Sequence, residues 1–458
     1  MQLYASNVLL SEGWAHDVVL DVDEGGHITG IRRGVRRRPA DAEAAAGPVL
    51  PGVPNLHSHA FQRALAGYAE RRGPNKDSFW TWRQVMYELV AHITPEQVQD
   101  IAAQLYVEML KAGYTGVGEF HYLHHDPHGR AYADVAEMSE RVIAAACTTG
   151  IAITHLPVLY VHGGFGGAPP DPGQRRFLHR VEGYARLLEQ LFTRYRDHGD
   201  VRVGMAPHSL RAVTPELLGE ALGLVDHLDP TAPVHIHVAE QRREVQDCLA
   251  WCGQRPVSWL LDHAPVDRRW CLVHATHVSE EEVARVAASG AVVGLCPTTE
   301  ANLGDGVFPA AAYLGTGGCF GIGSDSHVSV SPIEELRTLE YGQRLVREGR
   351  AVLGTPQRPS VGASLYVNAV HGGARALRED AGELALGKRA DLVVLDPEVP
   401  ALIHKPADLL LDALVFAGNV NPVRDVMVAG RWRIVDRHHE REDEILDRFR
   451  AAQHAVRA

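Results

Sequence analysis

The stretch Pro51-Gly52-Val53-Pro54-Asn55-Leu56-His57-Ser58-His59-Ala60 sets two imidazoles one residue apart at the end of an apolar run. Read as a buried strand, its period of two sends both rings to one side, where they can grip a single metal ion. An isolated pair of this kind serves equally well as core or surface histidines with ordinary hydrogen bonds. Residues further along the chain decide between these uses.

Downstream, the pattern alternates between helical and strand segments. Helical signals cover residues 94–112, 132–147, 178–195 and 242–252, and strand signals cover 116–120, 151–156, 201–205, 233–238, 270–273, 291–295 and 319–322. With the strand ending at His59 these are enough β/α units to close a TIM-like (β/α)8 barrel of roughly eight strands. The rival, a doubly wound sheet, lacks a glycine-rich fingerprint after an early strand. Both chain ends differ from this middle. Residues 3–10, 18–21 and 27–32 read as short strands, with Gly25-Gly26 as a turn, and so do 390–396 and 423–435, which Gly430 divides. Short strands need neighbours to bury their apolar faces, so the ends are expected to form one small composite β domain. The predicted division is 1–49 for the first part of a β-sandwich-like domain, 50–368 for the barrel, and 369–458 for the second β part plus a C-terminal helix.

The chemically suggestive residues fall at or just past predicted strand ends, which a barrel gathers at one mouth. In Val234-His235-Ile236-His237-Val238-Ala239-Glu240, His235 and His237 face the same side, and alternation does not choose between them. His237 lies nearer the strand end and is the expected ligand. Glu240 is either a charge at a helix N-terminus or a proton shuttle that reaches a substrate without binding metal. Asp325, in Gly321-Ile322-Gly323-Ser324-Asp325-Ser326-His327, reads alone as an Asx turn, and in company as the fourth ligand of a His-His-His-Asp shell. Such a shell suits one divalent ion, zinc first, with iron or manganese open. His274 ends another strand, and is expected to polarise a substrate rather than to bind metal. His277 is expected to brace its loop.

Composition narrows the class. The chain has 458 residues, 45% hydrophobic, with a formal net charge of -12. That length buries one large core and a smaller one, and that charge argues against nucleic acid or a lipid surface as partner. Arg36 to Arg38 read as a solvated turn. No run of about 18 apolar residues and no leader pattern is evident, so a cytoplasmic protein is expected. The six cysteines form no CxxC pairs. Cys248 and Cys252 share a helix spacing but are expected to be free thiols.

The stretches PGVPNLHSHAFQRALAG, APHSLRAV, HIHVAEQ, LVHATHVS, LCPTTEANLGDG and GIGSDSHVSVSP together resemble the amidohydrolase superfamily, and more narrowly the formimidoylglutamate deiminases of histidine degradation. The resemblance covers the whole chain. It implies metal ligands His57, His59, His237 and Asp325, with Glu240 and His274 as proton-transfer and polarising groups and Asp325 also orienting the attacking water. No carboxylated lysine or second metal is needed. It implies a small dicarboxylate substrate whose glutamate portion meets Arg211 and His208, with Arg83, Tyr122 and Gln62 adding contacts. Arginine suits that task because its rigid fork matches a carboxylate. The bland readings are a surface salt bridge for Arg211, a packing patch around Arg83 and a loop hydrogen bond for Tyr122. The implied reaction is hydrolytic deimination of N-formimidoyl-L-glutamate to N-formyl-L-glutamate and ammonia by metal-bound hydroxide, in a homodimer. Two alternatives stand beside it: a deaminase of guanine, cytosine or an s-triazine, and a non-enzymatic scaffold like the dihydropyrimidinase-related proteins.

Overall fold

Strands buried at every position dominate the middle of the chain: Val53–Ser58, Tyr114–His121, Ala152–Leu159, Val234–Val238 and Trp270–His274 expose no residue. Strands covered on both faces read as continuous apolar runs and belong to parallel sheets flanked by helices. The computed structural model, which describes residues 1–71 and 79–457, has this arrangement. The first three strands pair in parallel, and the fourth continues the series in two pieces, Val201–Val203 and Ala206–Pro207, both against Ala152–Leu159. Val234–Val238, Trp270–His274, Val292–Leu295 and Cys319–Ile322 pair in the same way. Two bridges join the halves, Met205 with Val234 and Ser58 with Asp325, and the sheet curls into a (β/α)8 barrel.

The sequence pattern predicts one strand over 201–205, whereas the strand breaks at Gly204. There the chain runs against Pro233, and an added Cβ would lie 2.6 Å from its carbonyl oxygen. The helix expected over 132–147 begins at Glu137 and runs to Thr149. The Asp134 carboxylate accepts the Ala136 N–H at 2.9 Å, a local turn that competes with helix over the first residues. The helix expected over 178–195 likewise starts late, as Val181–Tyr195. Pro95–Ala112 starts where Thr94 and Gln97 form a capping box, and stops at Gly113 in the left-handed region.

Both chain ends build one nine-stranded sheet. Val49–Pro51 is its junction, parallel to Gln2–Leu10 on one side and antiparallel to Leu392–Leu395 on the other. Gly13–Val22 and Ile28–Arg32 extend it at one edge, and Val423–Val428, Arg431–Val435 and His438–His439 at the other. The helix Val361–Leu377 is continuous through residue 368 and lies on the first and eighth barrel strands. Glycine permits that approach: a Cβ on Gly372 would sit 1.9 Å from the Phe320 carbonyl oxygen.

Candidate active site and metal centre

The barrel closes at the residues that carry the chemistry. Asp325 N–H donates to the His57 carbonyl at 3.0 Å, and His59 N–H donates to the Asp325 carbonyl at 3.2 Å. Gly323 allows the two strand ends to meet, since a Cβ there would lie 2.7 Å from that of His57. The small residues before Asp325 thus admit backbone against backbone. Beyond the strand ends the chain turns sharply, with positive φ at Ala239, His274, Ala275, Asp325 and His327. Left-handed backbone at non-glycine residues is costly, and clusters where surrounding structure holds it for a purpose.

His57, His59, His237 and Asp325 form one buried group whose ligand atoms lie within 4.8 Å of one another. His59 Nε2 is 3.2 Å and His57 Nε2 3.5 Å from Asp325 Oδ1, and His57 Nε2 is 3.0 Å from His237 Nε2. Backbone carbonyls fix two of the rings, because His59 Nδ1 donates to Phe120 O at 2.8 Å and His237 Nδ1 donates to His208 O at 3.2 Å. These bonds leave Nε2 of each ring free as a ligand. Burial pulls His57 down to about 3 and holds His237 well below the usual histidine range, so both are neutral. Burial opposes charge on Asp325, yet the close approach of His57 and His59 holds its carboxyl well below the ordinary value. Imidazole nitrogens and an ionised carboxylate converging on one point are the donor set of a divalent ion, and these residues fit it.

His235, on the same side of its strand, is a layer deeper and bonds the Ala376 carbonyl through Nε2 at 2.9 Å. It is thereby separated from His237, a distinction that alternation does not make. His277 N–H donates to Ala239 O at 3.0 Å and braces its loop.

Glu240 Oε1 lies 3.9 Å from His274 Nε2, and Asp325 Oδ2 lies 3.8 Å from the same atom. Burial is the largest influence on Glu240 and raises its carboxyl above the ordinary value, against the pull of His274 and Arg211. Burial opposes charge on His274, but Glu240, Glu300 and Asp325 outweigh it and push the ring up to about 10. A carboxylate that readily takes a proton beside an imidazolium is an arrangement for moving protons and holding negative charge.

A cavity above the cluster is lined by every expected metal, catalytic and substrate residue except His57, which lies beneath its floor. Gln62 donates to the Tyr122 hydroxyl at 2.6 Å, and among the described residues its own Oε1 is without a partner. Arg211 Nε is buried, unbonded and 3.9 Å from Glu244 Oε2. Arg83 lies over the Trp80 ring at 4.7 Å, is 3.8 Å from Asp171, and has an unbonded Nε. Among the described residues, Nε of each guanidinium group is therefore a free donor. His208 is held neutral, first by burial and then by Arg211.

Several residues of the site carry no local signal in the sequence. Glu300 accepts from His274 Nδ1 at 3.2 Å and from Cys296 N–H at 3.0 Å, so it orients the ring that faces Glu240. Glu244 accepts the Ala239 N–H at 3.0 Å while standing beside Arg211, and so ties the backbone next to Glu240 to that cation. Asp305, bonded by Gln241, is pushed up to about 9 by burial and then by Glu240. Beneath the first strand, Glu119 accepts from Ser58 and Ala60, and His327 bonds Ser58 and Ser324. Cys248 and Cys252 are free thiols with sulfurs 4.0 Å apart.

A model of the amidohydrolase family matches residues 49–433. The formimidoylglutamate deiminase of Pseudomonas aeruginosa is 54% identical to this chain over 448 residues, which are 98% of this chain and 97% of that protein. The crystal structure of an amidohydrolase from Brucella melitensis matches with a TM-score of 0.94 at 48% identity, covering 100% of each chain. That of an adenosine deaminase from Xanthomonas campestris with bound zinc matches with a TM-score of 0.81 at 25% identity, covering 100% of this chain and 98% of that one.

Proposed function

This chain belongs to the amidohydrolase family, and from that premise we propose that it hydrolyses N-formimidoyl-L-glutamate to N-formyl-L-glutamate and ammonia in histidine degradation. The observation that carries this reading is a pair of guanidinium groups with free donors, Arg83 and Arg211, lining a cavity whose floor is the His57, His59, His237 and Asp325 cluster. A linear substrate with a carboxylate at each branch of its glutamate portion and an amidine at the other end matches both halves. The 54% identity to the Pseudomonas aeruginosa deiminase supports the same substrate.

The four-residue cluster would hold one divalent ion, zinc by preference. Such an ion supplies a water acidic enough to lose its proton near neutral pH. Arg211 and His208, with Arg83, Tyr122 and Gln62, anchor the glutamate portion and point the amidine carbon at the cluster. Glu240 accepts one proton of the attacking water, which Asp325 orients, and passes it to the terminal nitrogen of the amidine as the water oxygen adds to the amidine carbon. His274, oriented by Glu300, stabilises negative charge as the tetrahedral centre forms. The hydroxyl proton then passes by way of Asp325 and Glu240 to the NH2 group, the C–N bond breaks, and ammonia leaves behind a formyl carbonyl. The water supplies the oxygen, so no redox cofactor takes part.

Phe79, Trp82, Tyr87, Tyr160 and Phe177 also line the cavity. Aromatic walls are what a flat heterocycle would use, and they favour the second reading, deamination of guanine, cytosine or an s-triazine. Ammonia release from N-formimidoyl-L-glutamate and from guanine separates the two. Turnover of the first with N-formylglutamate as product supports the proposal, and turnover of guanine alone rejects it.

Further parts of the reading are a homodimer, a cytoplasmic location, and a division into 1–49, a barrel from 50 to 368, and 369–458. No helix among the described residues is long and apolar enough to cross a membrane. Leu410, Leu411 and Leu414 are buried in the chain's own core, while Leu409, Leu345 and Val346 are exposed and available to a second copy.

A further inference from the structure

A second cavity lies at the other end of the barrel. Residues leading into the fourth, fifth and sixth strands enclose about 750 Å³ together with the end of the helix Val361–Leu377. These are the strand starts, whereas His237 and His274 sit at strand ends.

Arg196, Arg202, Arg268 and Arg378 line this cavity, and among the described residues none of their side chains makes a hydrogen bond or ion pair. Their neighbours in sequence are engaged: Arg269 pairs with Asp226 at 2.8 Å, and Arg375 bonds the Gly290 carbonyl. The carboxylates around the cavity are mostly occupied. Asp229 accepts from Thr231 N–H and hydroxyl at 2.8 and 2.7 Å, and Glu379 is 3.4 Å from Arg389. Glu379 and Asp380 attract Arg202 from beyond contact distance, while Arg378 and Arg389 repel it. In a chain of net charge -12, four guanidinium groups without a partner gather around one hollow, where they outnumber the lining carboxylates Asp229, Glu379 and Asp380. Mutual repulsion among them is relieved by an anion, and their planar forks match phosphate or carboxylate oxygens.

We propose that this strand-start end of the barrel binds a multivalent oxyanion, a phosphate or a small polycarboxylate, held by the half-buried Arg378 and by the exposed Arg196, Arg202 and Arg268 around the cavity mouth. The site is separate from the reaction centre. It adjoins a structural joint, because Leu377 O accepts from Thr154 Oγ1 at 2.9 Å and Ala376 O from His235 Nε2 at 2.9 Å. An anion bound to Arg378 and Arg202 clamps the end of that helix to the strands, so occupancy raises the melting temperature.

The test is calorimetric titration of the zinc-loaded enzyme at low salt with inorganic phosphate and with tricarballylate, against sodium chloride of equal ionic strength. It is run on an R83Q/R211Q background, which removes the two guanidinium groups of the catalytic cavity. One saturable site per chain is expected, weakened about tenfold or more when R202S and R378S are added, as loss of two charge-assisted contacts requires. The probe that binds identifies the source, phosphoryl or carboxylate. Should the quadruple variant not fold, R268E, a charge reversal at an exposed position, is expected to give the same loss. No saturable binding of either probe, or binding that survives these substitutions, overturns the proposal.

Discussion

Glu240 and His274 face each other across 3.9 Å with separate supports, Glu244 behind the backbone at Ala239 and Glu300 behind the ring. In the proposed chemistry Glu240 carries protons and nothing else, which gives a sharp expectation. E240Q should lower kcat by about 10²–10⁴-fold while its bound metal, measured by elemental analysis, is unchanged. Loss of metal along with activity would make Glu240 a ligand instead. At this scale much of the site is legible in the sequence, because HxH, HxxE and Asp325 are local patterns on strand ends. Glu300 is not, since its role exists only when a helix residue 26 positions downstream meets His274. His235 shows the complementary limit: strand periodicity gives a side but not a depth along the barrel axis.

Among the elements, the barrel strands declare themselves through continuous apolar runs, while helix starts are obscured where side chains make local turns. Asp134 is the clearest instance, capturing the Ala136 N–H and delaying the helix to Glu137. The tight contact of the helix Val361–Leu377 with the eighth strand is also illegible, for glycines 372 and 373 read equally as helix-weakening residues. Their value lies in what a Cβ would strike. G372A is expected to destabilise the protein by about 1–3 kcal/mol through overpacking against Phe320, although alanine is the better helix former. Urea unfolding measures this, and a stabilised variant would show that the helix can shift away at no cost.

For the whole molecule, a barrel that closes through Ser58 and Asp325 makes fold and site a single construction. The composite β sheet is foreseeable from short strands at both ends, each too small to fold alone. Burial of neutral histidines gives the molecule a defined acid sensitivity. Burial pulls His121 and His179 down to about 3 and His235 to about 4, from an ordinary value of 6.5. Between those values the unfolded chain holds more protons than the folded one, so stability falls as pH drops below about 6.5 and is unaffected by these groups above it. Each contributes a slope that approaches about 1 kcal/mol per pH unit well inside that window. Equilibrium unfolding at pH 7, 6 and 5 should follow this decline, and H235Q should reduce its slope by one such increment. An unchanged slope in H235Q would mean that His235 titrates normally.

All of the proposed chemistry depends on His57, His59, His237 and Asp325 making a one-ion hydrolytic centre. Stripping the protein with a chelator, titrating zinc back and following ammonia release from N-formimidoyl-L-glutamate tests it most directly. Activity is expected to return in proportion to added zinc and to level off at one ion per chain. A plateau that needs two ions, or full turnover by the stripped protein, would contradict it.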